Sequence, residues 1–251
     1  MEFRLYPHPT DSICTPFVYV RKQNAYSRYF FVSSSINLIS ITNQVNSSCI
    51  TVVGGDEKTI IGKRRPNREM ILDYLLHYEC ASDNFSDYVK NTCVIPTFPL
   101  SKEEAFVKTI IRQIINAKQA KRMFSNFVKK FGYKKGGLYS FPSLGGLERV
   151  SIYDFKKFGL GFKAERMWLG IKMLEAIGED DFIQINGIGS WSKNILEVEI
   201  HKDYSFYPFW DKSGEKIKKN YGIDLIKIGR KSKKLAGDLY VYAASYMEFI
   251  K

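Results

Sequence analysis

Asp211 is the residue of this sequence best placed to do chemistry. It ends an aromatic-rich segment, 204–211, and lies 22 residues after Gly189, the second glycine of a Gly-x-Gly turn. One helix between the two would bring the carboxylate back beside the turn. A carboxylate there could stabilise positive charge developing in a transition state and orient a water molecule for hydrolysis. Alternatively, Asp211 only caps a helix that begins at Ser213.

The Gly-x-Gly turn is suited to bind an anion. Glycine at positions 187 and 189 lets the backbone turn tightly and approach another chain closely. Ser190 can cap a helix that starts at Trp191, and the free amides at the start of such a helix form a seat for a phosphate group. We therefore predict phosphate contacts at Gly187, Gly189, Ser190, Lys193 and Lys163. The turn pattern alone is weak, because many unrelated loops contain it.

Charge narrows the class of partner. The 251 residues contain 38 Lys and Arg against 26 Asp and Glu, a formal net charge of +12. This excess predicts a polyanionic partner, nucleic acid ahead of an anionic membrane surface, although a basic protein without such a partner has the same composition. Residues 101–135 contain ten basic side chains and two acidic ones. A solvated helix face usually alternates in sign, so we interpret this run as phosphate contacts.

Cysteine spacing and hydropathy count against other classes. Cys14, Cys49, Cys80 and Cys93 form no C-x-x-C pair, so we expect no zinc and no iron–sulfur cluster, and we interpret the thiols as reduced. The sequence opens without the apolar core of a signal peptide, and it contains no run of 18 apolar residues. We expect an intracellular protein of the cytoplasm or nucleoid, with no membrane as partner.

Two types of element must position these residues. Residues 1 to about 62 are rich in β-branched and aromatic side chains between turns, which predicts an antiparallel meander. Its strands are expected at 17–20, 29–32, 36–41 and 49–53. The spacing becomes helical from residue 67, and Ser101 opens a capping box after two prolines. We predict an α+β protein with a β-rich N-terminal domain, 1–98, that includes one or two helices, and a helical core, 99–251.

Beyond Ser101 the apolar spacing predicts helices separated by Gly- or Pro-containing turns. We expect them from Glu103 to about Ile114, at Lys118–Phe131, near Ile152–Phe158, at Lys163–Ile177 and at Leu235–Tyr246, with a loop at Gly132–Gly137.

Four segments, in chain order, resemble the helix-hairpin-helix superfamily of DNA glycosylases that carries a Gly/Pro-rich loop followed by a catalytic aspartate. Segment 105–122 resembles the early core helix and wedge turn of that superfamily. Phe141-Pro-Ser-Leu, with 158–166, resembles its Phe-Pro-x-x and Leu-Gly-x-x-x-x-Lys/Arg-Ala pattern. Segment 181–194 resembles its hairpin, and the loop 204–212, with Tyr207-Pro-Phe-Trp-Asp211, resembles the one that holds the catalytic aspartate. The resemblance covers roughly residues 100–251.

The resemblance implies that Asp211 is catalytic in hydrolysis of an N-glycosidic bond. It also implies that the N-terminal third is a small antiparallel β-domain resembling half of a TATA-binding protein, as in the alkyl-purine and 8-oxoguanine branches. The sequence lacks the Gln-x-Phe-Arg-Trp segment associated with the 8-oxoguanine branch, which counts against oxidised guanine.

Trp191 occupies the position where bifunctional members of the superfamily carry a lysine nucleophile. A tryptophan cannot form a Schiff base, so the resemblance is to monofunctional enzymes, above all the 3-methyladenine DNA glycosylase II type. In that type the tryptophan helps form the base pocket, and an indole face attracts a methylated base that carries positive charge. Tyr240 is the predicted partner of Trp191, ahead of Tyr242. Alternatively, all three rings pack in the core.

The resemblance further implies a wedge and a cation. Ile114 falls at the position of the wedge that fills the gap left by a flipped base, with Gln113 or Asn116 contacting the orphaned base. Alternatively, Ile114 continues the apolar stripe of its helix. The hairpin in this superfamily holds a monovalent cation, Na⁺ or K⁺, through main-chain carbonyls, which here would be those of Ile183, Ile185 and Ile188.

We therefore expect a monomeric, monofunctional DNA glycosylase that acts in base excision repair. It would flip an alkylated base, for example 3-methyladenine, out of double-stranded DNA and hydrolyse its N-glycosidic bond, with no required cofactor. One alternative is an 8-oxoguanine-type glycosylase and AP lyase that uses Lys212 or another amine. A second is a helix-hairpin-helix module that binds DNA without chemistry.

Overall fold

The computed structural model describes residues 2–6, 25–32, 35–43, 50–53, 66–77, 83–96, 98–99, 101–135, 138–174, 176 and 184–249. The predicted strand at 17–20 and the part of the predicted hairpin segment that precedes Gln184 lie outside these residues.

The strands form two sheets. They are β1 (Glu2–Tyr6), β2 (Ala25–Val32), β3 (Ser35–Asn43), β4 (Ile50–Val53), β5 (Thr92–Pro96), β6 (Tyr133–Lys135) and β7 (Leu138–Ser140). β1 pairs in parallel with β5. The other sheet has the order β4-β3-β2-β7-β6, and its β2–β7 pair is parallel while the rest is antiparallel. The antiparallel meander predicted from β-branched and aromatic residues is therefore present over residues 25–53.

Helices form most of the rest of the described chain. They are α1 (Arg68–His77), α2 (Asp83–Asn91), α3 (Lys102–Arg112), α4 (Ala117–Phe131), α5 (Leu144–Glu148), α6 (Ile152–Phe155), α7 (Lys163–Met173), α8 (Ser190–His201), α9 (Lys212–Tyr221), α10 (Leu225–Lys231) and α11 (Lys233–Phe249). A π-helical turn, Lys156–Leu160, follows α6, and a 3₁₀ turn, Tyr204–Phe206, follows α8. The predicted helical core after Ser101 is confirmed.

Caps explain where the two helices nearest the wedge position begin. The Ser101 side chain accepts a hydrogen bond from the Glu104 amide at 3.3 Å, as its capping box predicts. Asn116 caps α4 through the Gln119 amide, and the Gln119 side chain accepts from the Asn116 amide in return. Residues 113–116 therefore form a short turn between two capped helices.

Two apolar clusters share α8. The first joins α1 and α2 to α9–α11 and includes Ile195 and Val198 of α8. The second joins α3–α7 and includes Leu196 of the same helix. In the second cluster α7 lies close to α3, because a Cβ at Gly170 would overlap the ring of Phe106. The shared helix carries Trp191 at its start, so both clusters fix the position of that residue.

The fold differs from the prediction at two places. The predicted loop 132–137 contains strand β6, which pairs with β7 and extends the sheet of the N-terminal strands. Contacts also cross the predicted domain boundary at 98/99: Asp238 of α11 accepts from the Asn67 amide at 3.0 Å, and Tyr88 bonds Ser245 at 2.8 Å. The helices before residue 98 complete the core of the C-terminal helices, because those helices bury apolar faces against them.

Candidate active site

The Asp211 carboxylate is held by three hydrogen-bond donors at the start of α9. Its Oδ1 accepts from the Ser213 and Gly214 amides at 2.9 and 3.0 Å. Its Oδ2 accepts from the Tyr207 hydroxyl at 2.6 Å. Asp211 therefore does cap a helix, but the cap also fixes the carboxylate in one orientation at the positive end of the helix dipole. The capping role and a catalytic role are compatible.

Two stacked tyrosines line one side of that carboxylate. The rings of Tyr207 and Tyr240 lie 3.8 Å apart at an interplanar angle of 24°. Burial, the neighbouring tyrosine and Asp211 raise the pKa of Tyr207 well above its usual value, and burial followed by Asp211 raises that of Tyr240. Both hydroxyls are therefore protonated at neutral pH, and Tyr207 is a donor to Asp211.

The structure separates Tyr240 from Tyr242. The Tyr242 side chain is fully buried, and its hydroxyl donates to the Thr92 carbonyl at 3.2 Å, beside β5. Tyr240 instead faces Tyr207 and the loop that ends at Asp211. Of the two candidate pocket tyrosines, Tyr240 is the one beside the carboxylate.

An arginine that sequence reasoning did not select lies against Trp191. The Arg112 guanidinium carbon is 5.7 Å from the centre of the Trp191 ring, and its Nη1 is 3.3 Å from Oε1 of Glu199. Burial opposes the charge of Arg112, but Glu199 and the hydroxyls of Tyr207, Tyr240 and Tyr204 outweigh burial and raise its pKa. The guanidinium is therefore a permanent positive charge between Trp191 and the tyrosine pair.

The predicted hairpin turn is present, with a different cap. Gly187 has a φ of 87°, and a Cβ there would overlap the Arg166 guanidinium, so glycine is required. Gly189 is the N-cap of α8 and provides no side-chain cap, and Ser190 is the first helical residue. The prediction that Ser190 caps the helix is therefore wrong. Gly189 and Ser190 are exposed, which leaves the first amides of α8 facing outward.

The cation prediction is only partly within the described residues. Ile183 lies outside them. The Ile188 amide donates to the Ile185 carbonyl at 3.0 Å, while both side chains are buried. A carbonyl oxygen has two lone pairs, so the Ile185 carbonyl can accept this bond and still contact an ion. These carbonyls fit a monovalent cation chemically, and the cation site stays a prediction. In the described part of the chain, no three His, Cys, Asp or Glu side chains are grouped to hold a metal ion.

Gln113 ties the wedge turn to the hairpin. Its Nε2 donates to the Gly187 carbonyl at 3.0 Å and to the Ser192 hydroxyl at 2.8 Å. Its Oε1 accepts from Arg166 at 2.6 Å. The Gln113 side chain is 6% exposed, so its amide braces the protein interior in this structure rather than facing a DNA base.

Ile114 stands out from the surface beside that amide. Its side chain is 83% exposed, and its φ is 62°, a left-handed conformation that is strained for a β-branched residue. The alternative that Ile114 continues the core stripe of α3 is therefore wrong, because the turn points this side chain outward. Asn116, also exposed, lies two residues further on.

The predicted phosphate contacts are not all on the surface. Lys193 is partly exposed and 3.6 Å from Glu197. Lys163, by contrast, is 4% exposed, and its Nζ donates to the Ile111 carbonyl at 2.9 Å. The assignment of Lys163 to phosphate is therefore corrected: it satisfies a carbonyl at the end of α3. Burial, helped by Arg166, lowers its pKa to about 8.

The basic run at 101–135 also divides. Lys108 is fully buried and lies 3.6 Å from Glu104, and Arg112 faces Trp191. The members on the surface are Lys102, Lys118, Arg122, Lys129, Lys130 and Lys134. The charge available to phosphates is therefore smaller than the sequence count.

Comparison with known proteins supports the fold. No family model and no curated protein matches the sequence. Among solved structures, the 3-methyladenine DNA glycosylase from Archaeoglobus fulgidus superposes with a TM-score of 0.68 at 18% identity, over 90% of this chain and 88% of that one. The 8-oxoguanine glycosylase/lyase of Clostridium acetobutylicum, in complex with DNA that contains cytosine opposite 8-oxoguanine, gives 0.60 at 14% identity, over 88% of each chain.

A third structure, MBOgg1 in complex with a low-affinity DNA ligand, gives a TM-score of 0.62 at 15% identity, over 90% of this chain and 86% of that one. At these identities the likeness concerns the fold. The chain therefore has the fold of the 3-methyladenine and 8-oxoguanine DNA glycosylases, as its resemblance to the helix-hairpin-helix superfamily implies.

Proposed function

We propose that this protein is a DNA glycosylase that hydrolyses the N-glycosidic bond of a damaged base flipped out of double-stranded DNA, as a step of base excision repair. The observation that carries the proposal is Asp211, whose carboxylate is held by three donors beside two neutral tyrosines. The shared fold of the DNA glycosylases supports the same assignment.

In the reaction, the bond between the sugar C1′ and the base nitrogen breaks, and its electron pair leaves with the base. The sugar becomes oxocarbenium-like, and the negative charge of Asp211 stabilises it. A water oxygen then bonds to C1′, and Asp211 can orient that water and take its proton. Three hydrogen bonds hold the carboxylate in place, so little reorganisation is needed when charge develops.

The surface around the site fits a duplex. Ile114 presents an apolar side chain that can enter the gap left by the flipped base, and Asn116 lies near enough to contact the orphaned base. The outward amides of Gly189 and Ser190, with Lys193, can bind backbone phosphates. Main-chain carbonyls of Ile183, Ile185 and Ile188 would hold a monovalent cation at the same turn.

We infer that the enzyme has no lyase activity. Trp191 stands where a Schiff-base lysine would stand, and a ring cannot form that intermediate. The remaining candidate amine near the carboxylate is Lys212, which is exposed at the start of α9. Borohydride trapping distinguishes the two: a covalent adduct with DNA, lost in a Lys212→Gln variant, would contradict hydrolysis alone and support the glycosylase/lyase alternative.

An alkylated base such as 3-methyladenine is the substrate class that the sequence favours, because Trp191 can attract a cationic ring. The Archaeoglobus fulgidus structure, described as a 3-methyladenine DNA glycosylase, has the higher of the TM-scores given above, 0.68. The position of Arg112 bears on this choice and is considered below.

Substitution of Asp211 tests the proposal against the non-catalytic alternative. Asp211→Asn keeps a helix-capping side chain but removes the charge, so we expect base release from damaged duplexes to fall by at least about a hundredfold. Asp224→Asn is the matched control, because Asp224 caps α10 through the Lys227 amide at 3.0 Å. Unchanged base release in Asp211→Asn, on every lesion of an alkylated, oxidised and deaminated panel, would leave a DNA-binding module.

A further inference from the structure

The indole of Trp191 already has a cation on it. The Arg112 guanidinium carbon lies 5.7 Å from the ring centre, within the range of a cation–π contact. The remainder of the ring packs against the first apolar cluster. A base that enters beside Trp191 therefore meets the indole together with Arg112.

We propose that Arg112 determines which bases this site accepts: its guanidinium disfavours cationic, N-alkylated purines and favours neutral bases with carbonyl oxygens, such as oxidised or deaminated purines. The inference rests on the proposed glycosylase function and revises the substrate class that Trp191 alone suggests.

The charge of Arg112 is not cancelled at the indole. Its partner Glu199 lies eight residues after Trp191 on α8, about 12 Å along the helix axis, and the carboxylate is fully buried. The guanidinium lies between the two, so a ring beside Trp191 is nearer the positive group than the negative one. Like charges in such a poorly solvated place repel strongly.

The neutral tyrosines do not offset this charge. Tyr207 and Tyr240 keep their protons, because burial and neighbouring groups raise the pKa of each. The other nearby negative charge, on Asp211, is engaged by three donors and faces the sugar in the proposed reaction. The base edge therefore meets a positive group that can donate hydrogen bonds and cannot accept them, which suits carbonyl oxygens.

Selectivity among four single-lesion duplexes tests this. Two carry cationic bases, 7-methylguanine and 3-methyladenine, and two carry neutral bases, 8-oxoguanine and hypoxanthine. We expect the wild-type protein to release the neutral pair at least about tenfold faster relative to spontaneous loss. Faster release of the cationic pair would overturn the inference and leave the glycosylase function intact. No release of any base, with Asp211→Asn indistinguishable from wild type, would instead overturn the proposed function.

Charge-neutral replacement identifies Arg112 as the cause. Arg112→Gln with Glu199→Gln removes the pair without leaving one buried charge, and it should raise relative release of the cationic bases by about tenfold or more. Arg112→Lys keeps the charge and should keep the wild-type preference. Lys218→Gln with Asp224→Asn removes an ion pair of 2.6 Å away from the site and should change nothing. An unchanged preference in the folded Gln pair, or a lost one in Arg112→Lys, would contradict the proposal.

Discussion

At the scale of single residues, Ile114 combines two features that a stable protein usually avoids. Its apolar side chain is 83% exposed, and its backbone has a φ of 62°. A left-handed conformation costs a β-branched residue about 1–3 kcal/mol, which the capped helices on either side of the turn must offset. Strain of this kind is expected where a side chain is held ready for a function, and here the function is entry into the DNA stack.

Replacement of Ile114 should therefore change stability and activity in opposite directions. Ile114→Gly relieves the positive φ and should raise the free energy of unfolding by about 1 kcal/mol, even after the extra freedom of glycine in the unfolded chain. Base release from duplex DNA should fall, with a much smaller loss on single-stranded DNA. Denaturant unfolding and single-turnover rates measure the two effects.

Ile114→Ala is the matched control, since it removes the wedge but keeps a residue with a Cβ at positive φ. It should lose duplex activity without the gain in stability. A glycine variant that is no more stable than the alanine variant would show that the turn holds no strain.

At the scale of elements, the turn after α3 and the hairpin before α8 are joined by one amide. Gln113 contacts Gly187, Ser192 and Arg166 at once. The residue next to it in the chain is the wedge, and the residues after Gly187 present the outward amides. Contact of DNA with the hairpin and entry of Ile114 are therefore positioned by the same side chain.

Gln113→Leu should uncouple the two elements. Loss of three buried hydrogen bonds should lower the free energy of unfolding by about 2–3 kcal/mol and weaken binding to undamaged duplex DNA. Ser143→Ala is the control for stability alone, because it removes a helix cap on α5 far along the chain from this contact and should cost about 1 kcal/mol. Duplex affinity equal to wild type in Gln113→Leu would contradict the coupling.

The sequence predicts these elements better than it predicts which way their charged side chains point. Glu103–Ile114 and Lys118–Phe131 are close to the observed α3 and α4, because their apolar spacing and caps are strong. Residues Glu104–Ile111 are, however, buried all round, so spacing cannot separate an inner face of α3 from an outer one. Arg112 at the end of that helix therefore read as a surface charge.

Short elements and buried polar groups account for the other errors. β6 and β7 have three residues each, and the Lys-Lys-Gly-Gly between their apolar residues is typical of a loop. Lys163 carries the charge of a surface residue, and only the tertiary contact with the Ile111 carbonyl shows that it is buried. Such contacts depend on which helices meet and have no local pattern.

At the scale of the whole molecule, Lys163 makes stability depend on pH. Burial lowers its pKa to about 8, whereas an unfolded lysine titrates near 10.4. Between these values the unfolded chain binds more protons than the folded protein, so the free energy of unfolding rises with pH from about 8 upward. The buried tyrosines act in the opposite direction only above about pH 10, because their pKa values are raised.

Unfolding measured between pH 8 and 9.5 should therefore distinguish wild type from Lys163→Met. Wild type gains stability over that interval, and the variant loses the gain. Lys157→Met, which removes an exposed lysine, should behave as wild type. Parallel pH curves for wild type and Lys163→Met would show that Lys163 does not titrate in this range.

The last described helix also sets an order of events during synthesis. α3–α7, and the part of α8 that packs on them, precede α11 in the chain, so the second apolar cluster can close while the ribosome is still translating. The first cluster cannot, because α1 and α2 wait for α11 to cover them. Tyr240 lies on that helix, so the base pocket is completed only when the nascent chain is nearly finished, and a partly made chain has no competent site with which to attack the genome.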